Sequence, residues 1–177
     1  PGYGKIRKIY AAGGVQTVSA AMDDRGVIPE SLGSADVLHI SPSHHFPTGI
    51  VTPVSRRREL LDWANRGKKW IIEDDYDSEF RFDAHPVPAM QSLDDGGRVI
   101  YMNSFSKSLA PSIRISYMVL PAGLMAAFQQ KLGFYSCTVP SFEQYTLARF
   151  LSRGFFEKHI NRMRKFYKNR RNAVVSL

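Results

Sequence analysis

The fold of this 177-residue chain is constrained most by three short apolar runs. They are ADVLHIS at 35–41, KWIIEDDY at 69–76 and RVIYMNS at 98–104, and each is rich in β-branched or aromatic residues. A helix is predicted between the first two runs, from Pro53 to Asn65. Strands that alternate with helices predict an α/β fold with a mostly parallel sheet.

Further elements are predicted on either side of these runs. GGVQTVSAAMDD, at 13–24, predicts a strand after a helix that ends at Gly13 and Gly14, and RISYMVL, at 114–120, is another apolar run. Helices are expected to dominate from about Pro121. In the 53–65 helix, Pro53 suits the first turn and Gly67 the end. Its apolar face would carry Leu60, Leu61, Trp63 and Ala64, and its other face Arg56, Arg57, Arg58, Glu59 and Asp62.

The composition excludes a disordered chain and leaves two interpretations of its charge. Hydrophobic residues make up 44%, and the formal net charge is +8. Eight basic residues fall in the last 25 positions, which indicates either polyanion binding or the solvent face of an amphipathic helix. Helical spacing favours the second, with these residues facing the core: Ile160, Met163, Phe166, Tyr167, Val174 and Leu177.

Compartment and completeness are predicted from a few features. Cys137 is the single cysteine, so no internal disulfide is possible, and no apolar run reaches membrane-spanning length. A cytoplasmic protein is therefore expected. The start at Pro1 and the stop at Leu177 inside a helical pattern suggest a fragment. We expect a domain over 1–154, followed over 155–177 by a long helix that leads toward a further, C-terminal domain.

Polar residues follow the apolar runs, at 41–49, 73–77 and 103–107. Open α/β sheets bind ligands beyond the carboxyl ends of their strands, so these segments are expected to border one crevice.

A phosphorylated aldehyde cofactor, such as pyridoxal phosphate, requires a particular set of groups. It needs a lysine to bond the aldehyde, a carboxylate beside the ring nitrogen, a hydroxyl near the ring oxygen, and hydroxyls with an arginine around the phosphate. Six residues could fill these places: Lys107, Asp74, Tyr76, Ser104, Ser106 and Arg114. The alternatives are a solvated lysine, ordinary turn serines, and a divalent-cation site at Asp74 and Asp75. No histidine or further carboxylate joins that pair at ligand spacing.

Three motifs together resemble the aminotransferase-like domain of the MocR/GabR regulators in the GntR superfamily. They are SPSHHFPTG at 41–49, IIEDDYDSEFRFD at 71–83 and NSFSKSLAPSIRISYMVLP at 103–121, and the similarity runs through nearly the whole chain. The resemblance implies the fold-type I architecture of pyridoxal-phosphate enzymes, which is a three-layer α/β fold with helices on both faces of the sheet.

The resemblance also implies roles for individual residues. Lys107 would form the aldimine with the cofactor, Asp74 would pair with the ring nitrogen, and Tyr76 would donate to the ring hydroxyl. Asp75 would be a structural carboxylate that points away from the cofactor. The phosphate would be held by Ser104, Ser106 and Arg114.

Two further assignments concern the loop at 41–49 and the first helix. Aminotransferases usually carry Asn-Pro-x-Gly where this chain has Phe46-Pro47-Thr48-Gly49, and phenylalanine cannot donate the hydrogen bond of that asparagine. His45 stands where the regulators commonly have glutamine, and is a candidate cofactor contact. Arg7 is either a carboxylate-binding arginine or a charge on a helix surface.

The function implied is an effector domain of a transcription regulator, which senses a small amino compound by aldimine exchange at Lys107. The resemblance further implies a homodimer, and DNA binding through an N-terminal winged helix-turn-helix domain outside this chain. The alternative is a free-standing aminotransferase acting on an amino acid. A nucleic-acid-binding module built on the basic C-terminal helix is the third possibility, although no reader motif supports it.

Overall fold

The computed structural model describes residues 4–80 and 87–176, and its central feature is a four-stranded sheet. The helices are α1 (Gly4–Ala12), α2 (Val54–Gly67), α3 (Phe105–Ser108), α4 (Ala122–Leu132), α5 (Ser141–Ser152) and α6 (Phe155–Val175). The strands are β1 (Met22–Asp23), β2 (Gly26–Val27), β3 (Val37–Ile40), β4 (Trp70–Asp74), β5 (Val99–Ser104) and β6 (Ser116–Val119). The sheet has the order β3-β4-β5-β6, and only its last pair is antiparallel.

Helices lie on both faces of this sheet. On one face, α2 places Leu60, Leu61 and Ala64 in the same buried cluster as Ile71 of β4 and Val99 of β5. On the opposite face, Tyr10 of α1 contacts His39 of β3, whose side chain alternates with those of the buried Leu38 and Ile40. The predicted mostly parallel α/β sheet, with helices on both faces, is therefore the observed one.

The strand predicted over 13–24 is wrong except at its end. The preceding helix does end at Ala12, and Gly14 has a positive φ of 73°, but regular strand begins only at Met22. This strand and β2 form a separate two-stranded antiparallel sheet. A run such as VQTVSA has strand propensity, but propensity without a neighbouring strand to pair with does not make a strand.

Two arginines predicted on the outer face of α2 are buried instead. Arg57 is fully buried, and its guanidinium donates to the carbonyls of Pro42, Thr52 and Pro88. Arg56 donates to the carbonyl of Val27 and forms an ion pair with Asp23 at 2.7 Å. The sequence pattern placed both arginines on the solvent side, because arginine is rarely buried. They are buried because acceptors on other segments of the chain bind their guanidinium groups.

The remaining outer-face residues of α2 are not buried, and its ends differ slightly from the prediction. Arg58 and Asp62 are exposed and Glu59 is half-buried. Pro53 lies just before the first helical residue, and the chain leaves the helix through Lys68 in the left-handed conformation.

The chain is helical after Pro121, as predicted, but the apolar stripe of α6 is only partly a core face. Ile160 is buried and Met163 half-buried, whereas Phe166, Tyr167 and Val174 are exposed. Leu177 lies outside the described residues. The helix begins at Phe155, at the predicted domain boundary, and the division into domains stays a prediction. Over the described ranges, none of the helices combines the length and apolar character needed to cross a membrane.

Candidate functional site

Strand alternation sends two consecutive aspartates to opposite faces of the sheet. Asp74 pairs in register with Met102, so its side chain shares a face with Ser104, two residues further along β5. Asp75 follows on the other face, where it is 5% exposed and accepts a hydrogen bond from Tyr101 at 2.9 Å. Asp74 is therefore the carboxylate on the side predicted to hold the cofactor, and Asp75 has the structural position predicted for it.

The same alternation argues against a cation held by this pair of aspartates, because their carboxylates point away from each other. Across residues 4–80 and 87–176, no group of three or more His, Cys, Asp or Glu side chains is arranged to hold a metal ion.

Two residues that the motifs did not single out lie next to Asp74. The Tyr10 hydroxyl is 2.7 Å from Nδ1 of His39, and Nε2 of His39 is 3.8 Å from Oδ2 of Asp74. Burial, with a smaller effect of the Asp74 charge, raises the pKa of Tyr10, so its hydroxyl keeps the proton. Tyr10, His39 and Asp74 thus form a chain of polar contacts on this face of the sheet.

The loop after β3 and the turn after β4 are joined by contacts of Tyr76 and His44. The Tyr76 hydroxyl donates to the His44 carbonyl at 2.9 Å, the two rings stack at 6.4 Å, and His44 Nδ1 is 2.8 Å from Asp77. These contacts show that the segments 41–49 and 73–77 lie next to each other. Burial chiefly, with the charges of Asp77 and Asp74, raises the pKa of Tyr76 to about 12, so it remains a donor at neutral pH. Donation to a cofactor oxygen requires the hydroxyl to turn from the His44 carbonyl.

Lys107 lies in α3, the four-residue helical turn that follows β5 directly. It is exposed, and Ser106 beside it donates from Oγ to the carbonyl of Ile113 at 2.9 Å. Arg114 donates to the same Oγ at 3.3 Å. The structure thus brings Ser106 and Arg114 together at the end of β5, beside Ser104, which are the three groups predicted to hold a phosphate.

His45 and Arg7 lie at the edges of this arrangement. His45 is half-buried, with Nδ1 2.8 Å from Thr48 Oγ1, and its backbone N–H donates to the Ile50 carbonyl. Arg7 is exposed on α1, one turn before Tyr10. The roles assigned to both residues stay predictions.

The residues missed by sequence reasoning are Tyr10 and His39. Their contact joins positions 29 residues apart, so no local spacing could indicate it. The sequence does contain one indication: His39 is a polar residue inside an apolar run. A polar side chain in a buried strand needs a hydrogen-bond partner.

The family comparison agrees with this architecture. The family described as aminotransferase class I and II matches residues 26–177. A solved structure of kynurenine aminotransferase from Pyrococcus horikoshii, in complex with PMP, superimposes with a TM-score of 0.85 at 32% identity. The superposition covers 99% of this chain and 46% of that chain.

Two similar proteins from Bacillus subtilis and Rhizobium meliloti are described as regulators. An uncharacterized HTH-type transcriptional regulator of Bacillus subtilis, YdeL, is 44% identical over 99% of this chain. The probable rhizopine catabolism regulatory protein MocR of Rhizobium meliloti is 37% identical over 100% of it. The chain spans 38% and 36% of the lengths of these two proteins.

These findings confirm the predicted fold and the resemblance to MocR-type regulators. Asp74 lies at the carboxyl end of β4, and Lys107 and the Ser106–Arg114 contact follow the carboxyl end of β5. The family match includes all of these residues. The chain belongs to the aminotransferase class I and II family.

Proposed function

We propose that this chain is the pyridoxal-phosphate-binding effector domain of a transcription regulator, which senses a small amino compound at Lys107. The observation that carries the proposal is the arrangement at the ends of β4 and β5. Asp74 and Ser104 share one face of the sheet, and the Lys107 turn and the Ser106–Arg114 contact follow immediately.

The donor set fits pyridoxal phosphate. Asp74 supplies a negative charge on the correct face, Tyr76 a hydroxyl that remains protonated, and Arg114 a guanidinium beside two serines. When bound, the cofactor supplies an aldehyde carbon that amines attack and a ring that accepts electrons.

Each residue has a distinct task in this proposal. The Lys107 amine would hold the aldehyde. Asp74 would lie beside the ring nitrogen and favour its protonated form, and His39, in contact with Tyr10, would position the Asp74 carboxylate. Ser104, Ser106 and Arg114 bind the phosphate, and His45 borders the ring. Arg7 is the candidate for the carboxylate of the sensed compound.

A regulator is favoured over a free-standing aminotransferase by the loop that follows β3. Phe46 occupies the position of the enzymes' ring-contacting asparagine, is 59% exposed, and has no hydrogen-bond donor on its side chain. The descriptions of YdeL and MocR as regulators support the same choice. We propose that a winged helix-turn-helix domain outside this chain binds DNA, and that the protein acts as a homodimer in the cytoplasm.

The experiment that tests this function uses the full-length protein loaded with pyridoxal phosphate. Binding to the DNA upstream of its own gene is measured by fluorescence anisotropy, with and without a panel of amino acids and other primary amines. A regulator gives DNA affinity that at least one amine alters. Steady conversion of amino donors to oxo acids, without DNA binding, would establish the aminotransferase instead.

Asp74→Asn is expected to weaken pyridoxal phosphate binding by about 10- to 100-fold, because a hydrogen bond to a charged group contributes about 1.5–3 kcal/mol. Asp75→Asn keeps an oxygen acceptor for Tyr101 on the opposite face, and its affinity is expected to stay within about threefold of wild type. Cofactor titration followed by protein fluorescence measures both. Equal losses in the two variants would show that the wrong aspartate has been assigned.

A further inference from the structure

The helical turn that carries Lys107 is too short to hold its own conformation. α3 has four residues, and Ser104 at its start makes no side-chain capping hydrogen bond. At its C-terminal end, the Leu109 N–H donates to the Phe105 carbonyl at 2.8 Å. Nucleating a helical turn orders several residues for one hydrogen bond, so such a turn depends on contacts from other elements.

The long helix α6 supplies contacts at both ends of this turn. His159 Nε2 lies 3.0 Å from the carbonyl of Ser108, the last residue of the turn, although the two are 51 residues apart. The Phe156 ring meets the Phe105 ring edge-on at 5.9 Å, with 80° between their planes. Phe156 and His159 are one helical turn apart on α6, and Ile160 beside them is 4% exposed.

Two neighbours independently require the same protonation of His159. The Ser108 carbonyl can only accept, so Nε2 must carry a proton. Arg162 can only donate, and its Nη2 lies 3.3 Å from Nδ1, so Nδ1 must be the acceptor. The Nε2 proton of His159 is therefore directed at the end of the lysine turn.

We propose that His159 is a positioning residue that fixes the Lys107 turn and links the occupancy of the site to α6. The first part depends only on the contacts above. The second part rests on the proposed function, because it requires a cofactor at Lys107. Ser108 is 1% exposed, so a carbonyl that loses its donor there cannot readily turn to water. A ligand that strains or releases the turn therefore changes the contact between Ser108 and His159, and through it α6, which is 21 residues long.

The first experiment measures hydrogen exchange in the full-length protein without cofactor. In His159→Leu, a peptide spanning 105–112 is expected to exchange about tenfold faster, because the turn opens more often. His159→Gln keeps an N–H near the position of Nε2 and should restore most of the protection. Lys165→Leu, at an exposed position six residues further along α6, is the matched control and should match wild type. Unchanged exchange in His159→Leu would overturn the proposal.

A spectroscopic measurement keeps the proposal testable if His159→Leu folds poorly. Long-range ¹H–¹⁵N spectra of the wild-type protein should show His159 protonated on Nε2. Arg162→Leu removes only the contact at Nδ1, and Nε2 should stay protonated because the Ser108 carbonyl still requires a donor. A wild-type His159 protonated on Nδ1 would contradict the contact with Ser108.

The second experiment repeats the exchange measurement with pyridoxal phosphate. In wild type, the cofactor should slow exchange both in 105–112 and in the α6 peptide around Phe156 and Ile160. In His159→Leu it should slow the turn alone, and equal slowing of α6 would overturn the link. If no cofactor attaches to Lys107 at all, the proposed function fails, while the result without cofactor still decides the positioning role.

Discussion

Lys107→Ala is expected to abolish covalent attachment of pyridoxal phosphate to the protein. The alanine has no amine to bond the aldehyde, whereas Ser104, Ser106 and Arg114 remain to bind the phosphate. Borohydride reduction of the loaded protein, followed by peptide mapping, should place the wild-type label on the peptide that contains Lys107. In the variant, the label should fall to background while the cofactor still binds reversibly.

Lys131→Ala is the matched control for this experiment. Lys131 is an exposed lysine in the last turn of α4, and its loss should leave the labelled fraction unchanged. A label that persists in Lys107→Ala, or that maps to another lysine in wild type, would refute the assignment of the site. A variant that loses reversible binding as well would show that Lys107 also contributes to affinity.

Arg57→Ala is expected to lower the free energy of unfolding by about 3–5 kcal/mol, as removal of one partner of a buried ion pair typically does. Arg57 and Glu73 are both fully buried, with Nη1 3.5 Å from Oε1. The substitution also removes the three hydrogen bonds that Arg57 donates to the carbonyls of Pro42, Thr52 and Pro88. Denaturant unfolding of the wild type and the variant measures the loss.

The adjacent arginine provides the control. Arg58 is exposed on the same helix, and Arg58→Ala should change the free energy of unfolding by less than about 0.5 kcal/mol. The double variant Arg57→Met, Glu73→Met should recover only the part of the loss that comes from an unpaired buried charge, because the backbone N–H groups of Met90 and Gln91 lose their acceptor. A loss in Arg57→Ala no larger than that in Arg58→Ala would contradict the importance of this pair.

The stability deficit of Arg57→Ala should depend on pH. Burial raises the pKa of Glu73, while the backbone N–H groups of Met90 and Gln91 and the charge of Arg57 lower it. Without Arg57, the folded-state pKa rises further above the unfolded value. The charge-dependent part of the deficit is complete above the variant's folded-state pKa, where Glu73 is ionised, and is absent below the wild type's folded-state pKa, where Glu73 is protonated in both proteins. The deficit should therefore narrow as the pH falls through that interval.

The parts of the fold that could be predicted are those with a local pattern. β3, β4, β5 and α2 follow the period of their apolar residues, and each lies where the sequence placed it within a few residues. The strand at 13–24 was predicted from β-branched residues alone, and pairing between strands is not a local property. Arg56 and Arg57 were assigned to solvent by residue type, although carbonyls and a carboxylate distant in the chain draw them inside.

The candidate site divides in the same way. Asp74 and the segment from Ser104 to Lys107 could be predicted because each directly ends or follows an apolar run. The supporting residues Tyr10, His39 and His159 could not, because their contacts bridge separations of 29 to 51 residues. Tertiary contacts of this kind leave no periodic trace in a sequence.

The opposite orientations of Asp74 and Asp75 limit the insertions and deletions that β4 can accept. Side chains alternate along β4, which is paired on both sides, so deleting one residue between Trp70 and Asp74 would exchange the faces of the two carboxylates. Asp75 would then take the place of Asp74, and Asp74 would take the buried place of Glu73 beside Arg57. A single substitution within β4 therefore affects one face of the sheet, whereas a single insertion or deletion there would alter the core and the ligand site together.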